Sequence, residues 1–396
     1  MRRIGGVWDT ITSFQNLAQA TKRAARGKHR VRGAATFLER LEPELLALQR
    51  ELREGRYRPG PARTFLVHDP KTRVISAAPF RDRVVHHALI DPLEPLLDRR
   101  LIAHSYACRK GKGQHRAVRC AQRLLRRHAF FLKLDVKSFF PSLRHDVVMA
   151  AIARIVKDRT ALSLFDVIVR AGGEGGVGLP IGNLTSQWLA NLVLGELDQL
   201  VLGTLRVPGY VRYMDDFVLF AADRTALRAA HGAIADWLAV RAMRLKDTAT
   251  ILAPTHAGLP FCGFAIHRRT LRIRPANLRR CRQRIRHREW QHRMGLLDEG
   301  RLAACVSASI EHLRHGCTLA LRRAWLCSEV MGADHQLGQP REPGRQLQQP
   351  CLQRAVGQPQ QERADDPQQR SRPPRRQDVP PPDHGPRLAT WSCCAP

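Results

Sequence analysis

The stretch "YVRYMDDFVLFA" constrains this chain more than any other. Val, Tyr, Phe and Leu on both sides favour extended backbone, so the pattern predicts a tight hairpin around Met214, Asp215 and Asp216. Two neighbouring carboxylates at the rim of an apolar sheet repel each other and resist desolvation. A metal ion relieves that cost. Magnesium takes hard oxygen ligands, and a two-metal site stabilises both the attacking and the leaving oxygen of an in-line phosphoryl displacement. A third acid is needed to bridge the pair, and Asp135, at the end of the β-type run "FFLKLDV", is the candidate. If that strand lies beside the hairpin, the three acids converge. The plainer reading, a polar hairpin tip with Asp135 unrelated, stays open on these residues alone.

The rest of the chain supplies a scaffold and a charge. Residues 8–26 and 34–54 have helical apolar spacing, and "GRYRPGP" ends the second helix with Gly and Pro. "TSQWLANLVLGELDQLV" puts Trp188, Leu189, Leu192, Val193, Leu197 and Leu200 on one helical face. A second amphipathic helix is predicted over about Thr225 to Ala242, and a basic helical segment from about Asn277 to Leu326. With 396 residues, 43% of them hydrophobic, the chain can bury a sizeable core. Lys and Arg number 66 against 35 Asp and Glu, a net charge of +31 that favours a polyanion, with nucleic acid the first candidate. No apolar run is long enough to span a bilayer and the N-terminus lacks a signal-peptide core, so a cytoplasmic location without membrane contact is expected. The cysteines show no paired C-x-x-C spacing and read as reduced thiols.

Taken together, "YMDD" in an apolar hairpin, "LDVKSFFPSL" upstream and "GLPIGNLTSQWLANLVL" between them resemble the palm of a reverse transcriptase. Within that superfamily, "IGNLTSQ" and "SYACRKGKG" resemble most the enzymes of diversity-generating retroelements. The resemblance covers roughly residues 8–327 and implies an α+β fold of right-hand polymerase architecture. Its parts would be a basic helical lead-in over 1–60, fingers and an antiparallel palm sheet packed on helices over 61–265, and a short helical thumb over 266–327. A disordered tail over 328–396 completes the expectation.

Carried over residue by residue, the resemblance makes Asp135 and Asp215 the main ligands of two Mg2+ ions, with Mn2+ a possible substitute, and has Asp216 complete the cluster. Phe140 would be the aromatic gate against a ribose 2′-hydroxyl; an ordinary core aromatic is the alternative, since Phe139 is its neighbour. Arg73 and Arg109 match positions that bind the incoming triphosphate, a task that suits the planar guanidinium. Lys246 matches a lysine that protonates departing pyrophosphate. Gly258, Gly263 and Phe264 in "GLPFCGFAI" match a primer-grip hairpin, and the arginine-rich helices after Asn277 match a thumb that holds the template-primer duplex. Where retroviral and intron enzymes open a motif with Gln-Gly, this chain has Ile181-Gly182, and its segment ends in Ser186-Gln187 rather than Ser-Pro. An apolar residue cannot make the glutamine's polar contact, so nucleotide positioning loosens. The family carries both departures, at Ile181 and Gln187, together with misincorporation opposite template adenine.

The resemblance implies RNA-directed DNA synthesis on a template-repeat RNA with a DNA primer and dNTPs, and a small basic accessory protein as partner. No nuclease triad, zinc motif or integrase-like segment is visible. A retron or phage-defence reverse transcriptase is one alternative, and a non-catalytic basic RNA-binding protein another. The tail "PGRQLQQPCLQRAVGQPQQERADDPQQR" carries a further expectation. Its Gln-Gln and Gln-Pro pairs, read from each second base, give Asn or Ser. From Gln339 onward that shifted frame permits "NRVNRGGS", which resembles the family's AAC-rich template repeat, although the tryptophan usual after "GGS" is not allowed there.

Overall fold

Helices form where the apolar spacing predicts them, but in shorter pieces that local capping divides. The computed structural model describes residues 3–29, 31–68 and 72–323. The helix predicted over 8–26 is two, α1 (Trp8–Thr12) and α2 (Phe14–Ala25). Ser13 between them is extended, and its hydroxyl accepts from the Asn16 N–H to cap α2. The helix predicted over 34–54 likewise divides at Arg40 into α3 (Arg32–Glu39) and α4 (Leu41–Arg53). Strands β1 (Arg63–Val67) and β2 (Arg73–Ala77) pair as an antiparallel hairpin, followed by α5 (Phe80–Asp98) and α6 (Gln114–Arg127). Then come β3 (Phe130–Asp135), the single turn α7 (Phe139–Ser142), α8 (His145–Ala153), α9 (Arg159–Arg170) and α10 (Leu184–Gln199). Strands β4 (Gly209–Tyr213) and β5 (Asp216–Ala221) are the hairpin arms, and α11 (Arg224–Ala239) is the second amphipathic helix. Short strands β6 (Ile251–Pro254), β7 (Leu259–Phe261), β8 (Phe264–Ile266) and β9 (Leu271–Ile273) follow.

The central sheet has the order β4-β5-β3-β6 and is antiparallel throughout. Alternation divides its residues cleanly. Leu132, Leu134, Phe217, Leu219 and Tyr210 face the main core, which α5, α8, α9 and α10 fill with Leu93, Val148, Phe165 and Trp188. Phe131, Lys133 and Asp135 lie on the opposite face, across from Phe220, Val218 and Asp216 respectively. The α+β expectation for this part of the chain therefore holds.

One charged pair is sealed inside the main core. Arg212 on β4 and Asp198 on α10 are both fully buried; the guanidinium donates to both carboxylate oxygens, at 2.7 and 2.6 Å. Its remaining reach goes to Asn191 Oδ1 at 3.0 Å and to the Met214 carbonyl at 3.3 Å, while the Tyr210 hydroxyl donates to Asp198 at 2.8 Å. The Arg212 backbone binds the 104–106 loop on both sides, donating to the His104 carbonyl and accepting from the Tyr106 N–H. Every charge is thus compensated, and the network ties the hairpin tip to α10.

The chain divides into two compact units, and the break falls after Arg274. The boundary expected after residue 265 is corrected by pairing: it would cut β8, and β9 is hydrogen-bonded to β8 and so belongs to the first unit. The second unit, as far as described, has helices α12 (Pro275–Arg293) and α13 (Glu299–Arg314) in the expected basic helical segment. Asp298 caps α13 by accepting from the Arg301 N–H. No residue of α12 is buried. The tail expected over 328–396, and residues 324–327 of the expected thumb, lie outside the described residues.

Removing one partner of a buried ion pair leaves an uncompensated charge, which costs about 3–5 kcal/mol. Arg212→Met should lower the unfolding free energy by that amount in denaturant unfolding. Arg212→Met combined with Asp198→Leu should recover most of it. Additive losses in the double variant would contradict this reading.

Candidate active site

The geometry of the acids follows from strand register. Asp135, the last residue of β3, is directly across from Asp216, the first of β5, and Asp215 occupies the turn one residue before. The Val136 N–H donates to the Asp215 carbonyl at 3.3 Å, and the Lys246 N–H donates to the Asp135 carbonyl at 2.8 Å. Met214 in the same turn has φ +54°, a left-handed conformation that a side chain of its size adopts at a cost. Ser138 and Cys262 share that conformation, at +49° and +48°. Strain of this kind persists where surrounding structure over-determines it, and here the Arg212 hydrogen bond to the Met214 carbonyl does so.

Burial and mutual repulsion both act on these carboxyls. Asp215 is pushed up to about 6, first by desolvation and then by Asp135, while Arg73 pulls it down. Asp216 is pushed up to about 7, again mainly by desolvation, with Lys133 opposing and Asp135 and Asp215 adding to the rise. The Lys133 ammonium, buried on the same face of β3 as Asp135, lies 2.8 Å from Asp216 Oδ1. That contact is a close, buried ion pair. A donor set of oxygens alone, carrying excess negative charge, suits a hard divalent cation. Among the described residues, no three His, Cys, Asp or Glu side chains close on one point as a coordination sphere. The acids are neighbours rather than a finished cage, and Asp216 is turned to Lys133. Magnesium sites of this type use one or two carboxylates and complete the sphere with substrate phosphates and water, so the residues present fit such an ion.

A second group of expected site residues gathers on one backbone ladder. The Ser76 N–H of β2 donates to the Ile181 carbonyl at 3.1 Å. Gly182, at φ +113°, brings its backbone against Ile75, whose Cγ2 would stand 3.3 Å from an added Cβ. Arg73, at the start of the same strand, is half-buried and near enough to Asp215 to favour its ionised form. Phe139 is buried at 2% exposure, which leaves Phe140 as the half-exposed ring, edge-on to its neighbour at 5.7 Å. Gln187 lies in the first turn of α10, half-buried, its N–H bonded to the Asn183 carbonyl. Ile181 is half-buried and Lys246 likewise.

Arg109 does not join them. Its side chain is 5% exposed and its donors are spent on Asp98, through both carboxylate oxygens and the carbonyl, and on the carbonyls of Ile102 and Ser105, at 2.6 to 3.2 Å. An arginine so committed clamps the 98–109 loop and has no donor left for a triphosphate. Lys110 pairs with Glu94, and Lys112 donates to the Ala103 carbonyl.

The expected grip residues form the β7–β8 hairpin, whose tip is Cys262-Gly263. Phe264 is fully buried, so its role is to hold the three-stranded sheet, edge-on to His115 at 6.1 Å. Gly258 has φ +88°, and a side chain there would strike the His267 ring at 2.5 Å. The Cys262 thiol sits near the acids: burial raises its pKa first, then Asp216 and Asp215. Sequence reasoning missed Lys133 and Cys262 as neighbours of the acids. Lys133 had a signal, because it is two residues before Asp135 and so on the same strand face.

The raised carboxyls make a signed prediction. A folded-state pKa above the ordinary value of 3.8 means that the folded protein holds protons the unfolded chain has released, so stability falls as pH rises through about 6 to 7. Asp215→Asn should therefore stabilise the metal-free protein at about pH 8 by on the order of 1–2 kcal/mol, after discounting for solvent screening. The gain should vanish near about pH 4, where native and variant both lack the charge. A gain equal at both pH values in denaturant unfolding would show that shape, and not charge, is responsible.

The chain is similar to known proteins over the segment that carries these residues. The family model described as "Reverse transcriptase (RNA-dependent DNA polymerase)" matches residues 67–264, half of the chain. Protein YkfC of Escherichia coli K12 is 30% identical over 217 residues, covering 50% of this chain and 57% of that protein. The group II intron-encoded protein LtrA of Lactococcus lactis is 25% identical over 171 residues, covering 41% of this chain and 28% of that protein. The chain thus spans less than two thirds of either relative. Among solved structures, apo telomerase from Candida tropicalis matches with a TM-score of 0.43 at 12% identity, over 55% of this chain and 48% of that one. The matched segment runs from the end of β1 to β8 and includes the three acids, Arg73, Phe140, Ile181 and Lys246, and the chain belongs to the reverse transcriptase family.

Proposed function

We propose that this protein is an RNA-directed DNA polymerase that copies a template-repeat RNA into adenine-mutagenised cDNA for diversification of a target gene. The observation that carries the polymerase reading is the register pairing of Asp135 with Asp216 beside the strained Met214-Asp215 turn. Nothing about binding RNA alone requires acids to be held together at such electrostatic expense.

In this reading Asp135 and Asp215 hold Mg2+, with Mn2+ a possible substitute, and Asp216 balances Lys133. The bound cation supplies charge neutralisation on the triphosphate and on the attacking 3′-oxygen. Arg73 directs its guanidinium at the triphosphate in place of Arg109. Lys246, held beside Asp135 through its backbone, donates a proton from Nζ to the pyrophosphate oxygen as it leaves. Phe140 offers its half-exposed ring against a ribose 2′-hydroxyl. The β7–β8 hairpin with Gly258 and Gly263 receives the primer, and the arginines of α12 bind the template-primer duplex through phosphates. A small basic accessory protein and a structured template RNA are the proposed partners. The error-prone behaviour rests on Ile181 and Gln187: an apolar side chain at the head of that loop gives the templating pair no polar fix. A retron or defence-type enzyme would use the same chemistry on another template.

Primer extension on an RNA template with Mg2+, with and without an accessory subunit, tests the reading. Asp135→Ala and Asp215→Ala should abolish dNTP incorporation. Asp216→Asn should be milder, because its charge partner is Lys133. Lys246→Ala should slow turnover by about 100-fold, the usual scale of a lost general acid. No incorporation by the native protein would remove the polymerase reading, and full incorporation by Asp215→Ala would remove the role assigned to the acids. Ile181→Gln should lower misincorporation opposite template adenine in sequenced cDNA; an unchanged error spectrum would remove the mutagenic part alone.

A further inference from the structure

The glycine-rich segment "AGGEGGVGLP", just ahead of Ile181, has no role in the chemistry so far, yet it is built to close tolerances. Gly175 and Gly176, at φ +59° and +75°, form a two-residue turn that brings the Val177 N–H to the Glu174 carbonyl at 3.1 Å. The returning limb, 176–179, is stitched to the segment that carries Phe140. The His145 N–H donates to the Gly176 carbonyl at 2.9 Å, the Gly178 N–H to the Leu143 carbonyl at 2.8 Å, and the Leu179 N–H to the Phe140 carbonyl at 2.9 Å.

Gly172 and Gly173 press on that limb from its other side. A Cβ on Gly173 would come within 2.5 Å of the Gly178 carbonyl oxygen, closer still to that of Val177, and within 2.9 Å of His145 Nε2. One on Gly172 would meet Pro180 Cδ at 2.5 Å. Neither glycine has a positive φ, so conformational freedom does not explain them; the limb simply leaves no room for a methyl group. His145, 6% exposed, spans the same gap: its Nε2 lies 2.9 Å from the Gly178 carbonyl, which can only accept, so that nitrogen carries the proton. Three backbones are thus stacked, 172–173 against 177–180 against 140–145. The middle one continues into Ile181, whose carbonyl accepts from Ser76.

We propose that Gly172, Gly173 and His145 are positioning residues that set the depth of Phe140 in the nucleotide site and thereby its choice between deoxyribose and ribose. The inference rests on the polymerase reading and extends it to the sugar specificity of the same site. A gate works by van der Waals contact with an atom the correct substrate lacks, so a displacement well below the width of an oxygen atom opens it. Gly173→Ala pushes the limb, and with it the Phe140 carbonyl, away from 172–173. His145→Leu fills the same space but drops the bond to Gly178, and His145→Gln can restore a donor to that carbonyl.

The test is single-nucleotide primer extension on an RNA template, comparing kcat/KM for a dNTP and its matching rNTP, with thermal melting as a check of the fold. Gly173→Ala and His145→Leu should each reduce discrimination against the rNTP by at least about tenfold, since misplacing a positioned group by an ångström costs one to two orders of magnitude. His145→Gln should return toward the native ratio. Unchanged discrimination in both variants, with dNTP extension retained, overturns the proposal. Loss of dNTP extension in both with native melting also overturns it, because the loop would then serve the chemistry and not the sugar. If Gly173→Ala does not fold, the two His145 variants decide alone. No dNTP incorporation by the native protein would instead count against the polymerase reading itself.

Discussion

Like-charge repulsion among half-buried carboxylates at one end of the central sheet is the constraint around which the first unit is organised. Asp135 and Asp216 are opposite each other because β3 and β5 pair in that register, and Asp215 is held beside them by a turn in a conformation its residues do not prefer. Such a turn relaxes unless something stiffer holds it. The stiff element is the sealed Arg212–Asp198 pair, which spends one guanidinium hydrogen bond on the Met214 carbonyl and anchors the opposite side in α10. A buried ion pair is a poor source of net stability, but a precise fixed point, since each of its donors and acceptors accepts few geometries. Lys133 then balances the acid closest to the sheet interior, and Arg73 reaches toward the one at the tip.

The proposed wall of the nucleotide site is made differently, from backbone. Main-chain hydrogen bonds join Leu179 to Phe140 and Ser76 to Ile181 along one continuous segment, and glycines at 172, 173 and 182 allow close approach around it. Side chains that face the substrate can then change while their positions stay fixed. In the proposed reading, Ile181 in place of a glutamine removes a polar contact and loosens nucleotide positioning, which is the change an error-prone copier needs.

Much of this was legible in the sequence because strand alternation and helical spacing are local. The hairpin, the acid-ended strand and the buried-face helix all lie where their residue patterns put them. Ser13, a good cap in the middle of an apolar helical pattern, had the signal that splits α1 from α2, and the 3.6-residue spacing masked it. Arg109 was misread for a physical reason. A guanidinium in a glycine-punctuated basic loop looks available to phosphate, and only the tertiary path of the chain shows that Asp98 and two carbonyls have already consumed its donors. Arg212 carried a readable hint, being the one charge in the apolar strand β4, but nothing local says that it meets Asp198. The closeness of Lys133 to Asp216 was written in the period of two; that of Cys262 was not, since it depends on a hairpin 46 residues further along the chain folding back on the acids.

In the proposed mechanism these acids are a divalent-cation site left incomplete by the protein and finished by substrate phosphates. Mn2+ binding followed by electron paramagnetic resonance, with and without a dNTP, measures it directly. The native protein should show a site that tightens when the dNTP is added and is lost in both Asp135→Asn and Asp215→Asn. Mn2+ binding of native strength in those two variants would contradict it.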